Sequence, residues 1–255
     1  MKQLFVFGLG YTASVIAREL RQQGWMVAGT GGGAIPFDNE VQVRAGLAAA
    51  SHVLSSVPPA EGADPVLARY GDALSQGWVG YLSSTGVYGD TGGAWVDETA
   101  PTGGGRRSAR AEADAEWLCR GARVFRLPGI YGPGRSALDR VREGKAHRID
   151  LPGQVFSRVH VEDIAFGVIA ALDAPAGAYN LGDDLPCSQN VVIEEACRLA
   201  GVPQPPLLSL EAAGLSPAAR AFYAENRRVA NGKAKRLLGW RPRFSTYREG
   251  LRSLV

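Results

Sequence analysis

The chain has 255 residues, 28 basic and 25 acidic side chains, and 33 glycines, about 13% of the chain where ~7% is usual. No apolar run reaches the ~18 residues of a membrane span. Three widely spaced cysteines without a CxxC pair predict free thiols rather than a zinc site or a disulfide framework. Basic and acidic residues are interspersed, so we expect no nucleic-acid partner. With the cysteine pattern and the short apolar runs, we expect a cytoplasmic protein with no membrane or metal partner.

Short apolar runs alternate with helix-length amphipathic segments. The predicted strands are Leu4–Phe7, Trp25–Thr30, Ile35–Phe37, Val53–Val57, Val79–Ser83, Val124–Leu127 and Ala178–Leu181. The predicted helices are Thr12–Gln23, Arg107–Arg120, Val161–Leu172 and Val191–Ala200. This alternation predicts an α/β fold, a doubly wound parallel sheet covered on both faces. Turns become frequent after about residue 128. We therefore predict a core over residues 1–128 and a mixed segment over 129–255 that completes the sheet and forms a smaller lobe.

A glycine-rich turn links the first strand to the first helix. It comprises Gly8, Leu9, Gly10, Tyr11, Thr12 and Ala13. In this setting Gly8 permits a tight turn, Gly10 lets a pyrophosphate approach the backbone, and Ala13 keeps the helix close to the strand. The amides and the dipole at the helix start then favour an anion. The turn predicts a dinucleotide-binding Rossmann core; a plain strand-to-helix turn is the alternative.

The end of the second strand normally selects between NAD and NADP. An acidic residue there usually marks NAD binding, and an arginine marks NADP binding. This chain has neither, because the segment reads Thr30, then Gly31–Gly33 and Ala34. The missing carboxylate favours NADP slightly, and the preference stays open.

Several blocks in this order resemble a known family. They are Gly8–Ala13, Ser56–Pro59, Ser83–Gly89, Gly129–Gly134, His160–Ala165, Tyr179–Gly182 and Lys235–Pro242. Together they resemble the extended short-chain dehydrogenase/reductases, the NAD-dependent epimerase/dehydratase family, and above all its short atypical members that begin with GxGY. The resemblance implies a Rossmann doubly wound parallel sheet with a small C-terminal substrate lobe. It also implies NAD or NADP as cofactor and a small substrate, typically a nucleotide sugar.

The usual catalytic set of that family is incomplete here. The family uses a serine or threonine together with a YxxxK pair, and Ser84 matches the serine. Aligning the next helix puts Arg106 at the tyrosine position and Arg110 at the lysine position, and no tyrosine has a lysine four residues later. A guanidinium does not act as a base, so Arg106 cannot replace the tyrosine. Arg110 is expected to hold a ribose hydroxyl or a phosphate as a cation. Tyr88 is the candidate replacement acid, with simple packing as its alternative.

The resemblance also assigns binding residues. Beyond the glycine turn, cofactor contacts are expected from Thr30, Asp38, Ser56, Val57, Ser83 and Pro128. Substrate contacts are expected from Arg135 and Arg158, which suit an anionic group, and from His160. Surface salt bridges are the alternative for the arginines, and helix capping or packing is the alternative for the histidine.

Two glycine triplets, Gly31–Gly33 and Gly103–Gly105, fall where the family normally contacts ligand. Mobile loops and lids that close on a ligand both fit this pattern. The sequence favours an NAD(P)-dependent oxidoreductase or epimerase with an atypical site. A non-catalytic redox sensor or scaffold that binds the dinucleotide is the alternative, and a homodimer is compatible with either.

Overall fold

The computed structural model describes residues 2–74, 77–105 and 108–255. The strands are β1 (Gln3–Phe7), β2 (Met26–Gly29), β3 (His52–Ser55), β4 (Trp78–Ser84), β5 (Trp95–Val96), β6 (Arg123–Leu127), β7 (Gly129–Tyr131), β8 (Arg148–Ile149), β9 (Arg158–His160), β10 (Gly177–Asn180), β11 (Leu207–Leu208) and β12 (Arg228–Val229). The α-helices are α1 (Tyr11–Gln22), α2 (Glu40–Ala49), α3 (Pro65–Tyr70), α4 (Ser108–Cys119), α5 (Ala137–Arg142), α6 (Val161–Ala170), α7 (Gln189–Ala200), α8 (Pro217–Phe222), α9 (Gly232–Leu237) and α10 (Tyr247–Arg252). A 3-10 helix spans Thr85–Tyr88.

Six parallel strands form the central sheet in the order β10, β6, β4, β3, β1, β2. The strand order reverses at β1, which lies between β2 and β3. Ligands of open α/β sheets bind outside the carboxyl ends of the strands at such a reversal. The predicted Rossmann-like parallel sheet is therefore confirmed. Its topology predicts a ligand site at the loops after β1, β3 and β4.

Strand β1 is apolar from Leu4 to Phe7 because both of its faces are buried there. Leu4 and Val6 join the core on the side where α1 packs against α6. Phe5 and Phe7 join a second core on the opposite face, which includes residues of α2, α3 and α4. All four side chains are at most 1% exposed. The alternation of side chains along a strand thus anchors two cores through one short segment.

The predicted strand Ile35–Phe37 is wrong. Ile35 forms only an isolated bridge to Thr30, and Pro36 supplies no amide for a strand ladder. The sequence reading also missed α2, which begins after Asn39, whose side chain accepts a hydrogen bond from the amide of Gln42. It missed α3 as well, a helix of only six residues.

The second half of the chain adds a smaller set of elements beside the sheet. Short parallel pairs form between β7 and β9, β8 and β11, and β5 and β12. Helices α5, α7 and α10 share a separate apolar core. Strand β10 returns to the main sheet beside β6. Within the described ranges, no helix is long and apolar enough to cross a membrane.

Candidate functional site

Three hydrogen bonds join the turn after β1 to Thr30 and Ser56. The amide of Gly8 donates to Thr30 Oγ1 at 3.1 Å, and the amide of Leu9 donates to the Thr30 carbonyl at 2.7 Å. The hydroxyl of Ser56 donates to the Gly8 carbonyl at 2.5 Å. Gly8 has a φ of +82°, and a Cβ placed there would lie 2.9 Å from Ser56 Oγ. Only glycine fits this position, and the buried Thr30 braces the turn from behind.

Gly10 opens the turn toward solvent. It is the N-cap of α1 and has no side chain that could cap the helix, so the first helical amides keep their hydrogen atoms for another partner. A Cβ on Gly10 would meet no atom within 4 Å. Open space therefore faces a set of amides and the positive end of a 12-residue helix. This arrangement fits a diphosphate.

A cleft of about 890 Å³ extends from this turn across the carboxyl ends of the strands. From the first half of the chain it is lined by residues that include Gly10, Tyr11, Thr12, Ser56, Ser83, Ser84, Arg110 and Pro128. From the second half it is lined by residues that include Arg135, Arg140, His147, Phe156, Arg158, Gln189, Tyr223, Glu225 and Arg227. The lining thus joins the glycine turn, the serine of β4 and both arginines that the sequence assigned to substrate.

The cleft carries positive charge. Five arginines line it, and Glu225 is the one carboxylate among the described lining residues. Glu225 is paired with Arg227 at 2.9 Å. The excess of guanidinium groups favours an anionic ligand. Among the described residues, no group of three histidine, cysteine, aspartate or glutamate side chains is arranged to hold a metal ion.

Ser83 and Ser84 end β4 at the floor of the cleft. The Ser84 oxygen accepts the amide of Gly86 at 3.1 Å and so caps the 3-10 helix, which leaves its own hydrogen for a ligand. The Ser83 hydroxyl donates to the buried carboxylate of Asp114 at 2.6 Å. That carboxylate also binds Arg126 through two hydrogen bonds, of 2.7 and 3.1 Å. A buried charge pair therefore fixes the end of β4.

The structure does not bring Tyr88 to the cleft. Its side chain is 4% exposed. Its hydroxyl donates to Asn180 at 2.8 Å and accepts from Arg126 at 3.0 Å. Burial raises the pKa of Tyr88, against the opposing effect of Arg126. The side chain belongs to the buried network behind β4 and β6, which favours the packing alternative, and a role for Tyr88 as replacement acid stays a prediction.

Arg110 lies on α4 and lines the cleft. One of its nitrogens donates to the hydroxyl of Tyr81 at 2.9 Å. Burial raises the pKa of Tyr81 to about 12, and Arg110 opposes that rise. The other candidate from this segment, Arg106, lies outside the described residues.

Arg135 and Arg158 differ in their surroundings. Arg135 is exposed and its guanidinium lies 5.7 Å from the centre of the Tyr11 ring. Arg158 is 7% exposed and donates to the side chain of Gln189 and to backbone carbonyls of Phe156 and Cys187. Within the described residues, no carboxylate lies within ion-pair distance of Arg158. It is therefore a buried cation whose hydrogen-bond partners are neutral.

His160 is a structural residue rather than a cleft residue. It is 1% exposed, packs edge-on against Tyr131 and Phe244, and its Nδ1 accepts the amide of Glu162 at the start of α6. Burial, together with the charge of Arg243, lowers its pKa to about 4. Its Nε2 is buried and has no hydrogen-bond partner among the described residues. The ring is not part of the cleft lining, which favours the capping and packing alternative, and a substrate contact of His160 stays a prediction.

The remaining predicted cofactor residues lie at different depths. Pro128 lines the cleft, and Val57 packs beside Gly8 behind the turn. Asp38 is exposed on the loop before α2, outside the cleft lining, and its carbonyl accepts from Arg69. A contact between Asp38 and an adenine stays a prediction.

Several cleft residues were missed from the sequence. Arg140, His147, Gln189, Tyr223 and Arg227 belong to separate segments of the second half of the chain. None of them lies in a recognised block, so no local pattern marks them. Their shared feature is tertiary, because each segment reaches the same opening from a different direction.

The triplet Gly103–Gly105 packs against the serine loop. The amide of Gly103 donates to the Val87 carbonyl at 2.9 Å. A Cβ on Gly105 would lie 2.8 Å from the Cα of Gly89 and 3.1 Å from the Gly86 carbonyl oxygen. Glycine is thus required for close backbone contact at Gly105. The other triplet, Gly31–Gly33, has positive φ at all three residues.

Comparison with known proteins places this geometry in context. No protein-family model matches the chain. The UDP-glucose 4-epimerase of Thermus thermophilus, solved as a complex with NAD, has a TM-score of 0.73 at 21% identity over 99% of this chain and 97% of that chain. Other epimerases of low identity have similar TM-scores. The fold is therefore the Rossmann-like α/β fold of epimerases and short-chain dehydrogenases.

A solved structure of higher identity gives the family. A conserved protein of unknown function from Silicibacter pomeroyi is 42% identical, with a TM-score of 0.88 over 100% of this chain and 98% of that chain. The chain belongs to the same family as that protein. A 3-diazoavenalumate denitrifying reductase from Streptomyces sp is 30% identical over 168 residues, 60% of this chain and 54% of the reductase. The chain spans about half the length of the curated relatives it matches.

Proposed function

We propose that this chain binds NAD or NADP and acts as an oxidoreductase or epimerase of the short-chain dehydrogenase/reductase class on a small anionic substrate. The observation that carries the proposal is the turn at Gly8–Gly10. It presents open space, uncapped helix amides and a helix dipole at the strand-order reversal of the sheet.

The residues of the cleft fit a nicotinamide dinucleotide. The amides after Gly10 would hold the diphosphate, Ser56 would flank it, and Pro128 would lie toward the nicotinamide end. A bound nicotinamide supplies or accepts a hydride. Ser84 is the side chain of this chain that would contact the reacting oxygen, because its hydroxyl hydrogen is not used in capping the 3-10 helix.

The proton for such a reaction cannot come from a YxxxK pair, since the sequence contains none. Tyr88 is held by hydrogen bonds behind the sheet, so Ser84, water or another titratable side chain of the cleft lining, such as Tyr223, would carry the proton. Loss of a general acid or base typically lowers a rate by about 10²–10⁴-fold. We therefore expect slow turnover, or a substrate whose reduction needs little help with proton transfer.

An anionic substrate is supported by Arg158. Among the described residues no carboxylate contacts the buried guanidinium, although its charge acts on the nearby Asp183. A buried cation without a contacting anion is costly, and a carboxylate or phosphate of a ligand would supply that contact. A nucleotide sugar meets this requirement, as does a smaller carboxylate. For the cofactor, the absence of an acidic side chain in the segment Thr30–Ala34 favours NADP, because nothing there repels a 2′-phosphate.

A non-catalytic dinucleotide sensor is the second candidate. The burial of Tyr88 and the missing tyrosine–lysine pair favour it. The arginine-lined second half of the cleft favours an enzyme that still holds a substrate.

The decisive experiment measures binding before turnover. NADPH and NADH are titrated into the protein by nicotinamide fluorescence, and nucleotide sugars and small carboxylates are then screened for cofactor oxidation or reduction. Ser84→Ala serves as the matched variant: it should retain cofactor affinity and lose any turnover. Absence of binding by both cofactors at millimolar concentration would refute the proposal. Binding without turnover on the whole panel would favour the sensor.

A further inference from the structure

The loop after β7 lies directly against the first turn of α1. Gly132 and Arg135 close a tight turn through two backbone hydrogen bonds of 3.0 and 3.1 Å. The hydroxyl of Tyr11 donates to the carbonyl of Pro133 at 3.1 Å. A Cβ on Gly132 would lie 2.7 Å from that hydroxyl. The loop of the second half of the chain is therefore fixed on the residue that follows Gly10.

Arg135 ends this loop with its charge available. Its guanidinium lies over the Tyr11 ring at 5.7 Å from the centre, and among the described residues its side chain makes no hydrogen bond or ion pair. The cleft arginines Arg110 and Arg158 instead use their nitrogens on neighbouring protein groups. A cation–π contact orients a guanidinium without using its N–H donors.

These contacts put Arg135 beside the helix start rather than deep in the second half of the cleft. Gly10, Tyr11 and Arg135 all line the same opening. The residue that follows Arg135 is the N-cap of α5, with a complete capping box between Ser136 and Asp139, so the loop is anchored on both sides. The backbone that carries Arg135 is thus fixed beside the helix start, and its side chain lies over the Tyr11 ring.

We infer that Arg135 binds the diphosphate of the dinucleotide, as a clamp from the second half of the chain, and is not a substrate residue as the sequence predicted. This inference rests on the proposed function. The amides after Gly10 would contact the diphosphate from one side and the Arg135 fork from the other. The shared chemistry, a diphosphate, also occurs in nucleotide sugars, and the experiment separates the two sources.

The test compares the unmodified protein with Arg135→Ala, Arg135→Lys and the control Arg142→Ala. Arg142 is an exposed arginine on α5 that lies outside the cleft lining. Isothermal titration is carried out with NADPH, ADP-ribose and UDP-glucose, and circular dichroism verifies that each variant is folded. Arg135→Ala should weaken NADPH and ADP-ribose by about 10- to 100-fold, the range for a hydrogen bond to a charged group.

In Arg135→Ala the affinity for ADP-ribose should fall as much as the affinity for NADPH, because ADP-ribose retains the diphosphate and lacks the nicotinamide. Arg135→Lys should recover part of the affinity as a point charge without the fork. The affinities of Arg142→Ala should stay within about twofold of those of the unmodified protein.

Three results would overturn the inference. The first is unchanged NADPH affinity in Arg135→Ala. The second is a loss of UDP-glucose affinity alone, which would show that Arg135 binds the substrate. The third is an equal loss in Arg142→Ala, since the effect would then be one of overall charge. Failure of the unmodified protein to bind any dinucleotide would refute the proposed function, and the clamp with it.

Discussion

Asp183 offers a pH-dependent test of how the second half of the chain is packed. The residue follows β10 and is 2% exposed. One carboxylate oxygen accepts the amide of Leu185 at 3.2 Å, and the other has no hydrogen-bond partner among the described residues. Burial raises the pKa of Asp183 to about 7, against the opposing charge of Arg158. We predict that Asp183→Asn makes stability less dependent on pH.

The magnitude follows from the two protonation equilibria. An aspartate has a pKa of ~3.9 in an unfolded chain, so a folded value of about 7 means that ionisation costs the folded state about 4 kcal/mol. The pKa of Asp183 is higher in the folded state than in the unfolded chain. Its contribution to the free energy of unfolding is therefore fully present below about pH 4 and is lost as pH rises through about 7. Between pH 5 and pH 8 the loss from this group alone is about 3 kcal/mol.

The assay is urea unfolding of the unmodified protein and of Asp183→Asn at pH 5 and pH 8. Asparagine keeps an acceptor for Leu185 and buries an extra donor, which costs a constant ~1–3 kcal/mol at both pH values. The free-energy difference between the two proteins should therefore shift by about 3 kcal/mol in favour of the variant on going from pH 5 to pH 8. In thermal melts this equals roughly 6–12 °C.

Asp184→Asn is the matched control. Asp184 is the neighbouring carboxylate, is partly exposed, and binds Lys235 at 2.5 Å. Its replacement should give a difference that hardly changes over the same pH range. A constant difference for Asp183→Asn would refute the reasoning, because it would mean that the carboxylate is hydrated or paired in solution.

Three further predictions concern the turn, the buried ion pair and a glycine contact. Gly10→Asp should abolish NADPH binding in fluorescence titrations by placing a carboxylate against the diphosphate, yet unfold at the normal temperature, because a Cβ there meets nothing within 4 Å; retained affinity would show that the site is misplaced. Asp114→Asn should lower the free energy of unfolding by about 3–5 kcal/mol in urea, since it leaves the charge of Arg126 buried without its partner. A decrease below about 1 kcal/mol would contradict the burial of this ion pair away from water. Gly105→Ala should cost about 1–3 kcal/mol by overpacking, whereas Gly104→Ala, whose Cβ meets nothing within 4 Å, should be neutral; equal effects of the two would refute the contact.

The residues of the site could be predicted to different extents. Ser84 was recognisable because it ends a strand within an ordered block, and the structure brings it to the cleft. Tyr88 and His160 belong to equally clear blocks, yet both are buried in structural contacts. A block marks residues that matter to the fold or to the site without distinguishing the two roles. His160–Ala165 illustrates the first role, because the Asp163 carboxylate accepts backbone amides of the C-terminal segment at Arg243.

The sequence by itself determined the parallel sheet and the glycine turn. Both depend on local physics: runs apolar on two faces, and positions where only glycine permits a tight turn or a close approach. Tertiary structure decided which side chains share the cleft. Arg135, Arg158 and Glu225 lie far apart along the chain, and only packing of the second half on the sheet brings them to one opening. Tertiary structure also decided which polar groups lose their water, and that desolvation raises the pKa of Asp183 and lowers the pKa of His160.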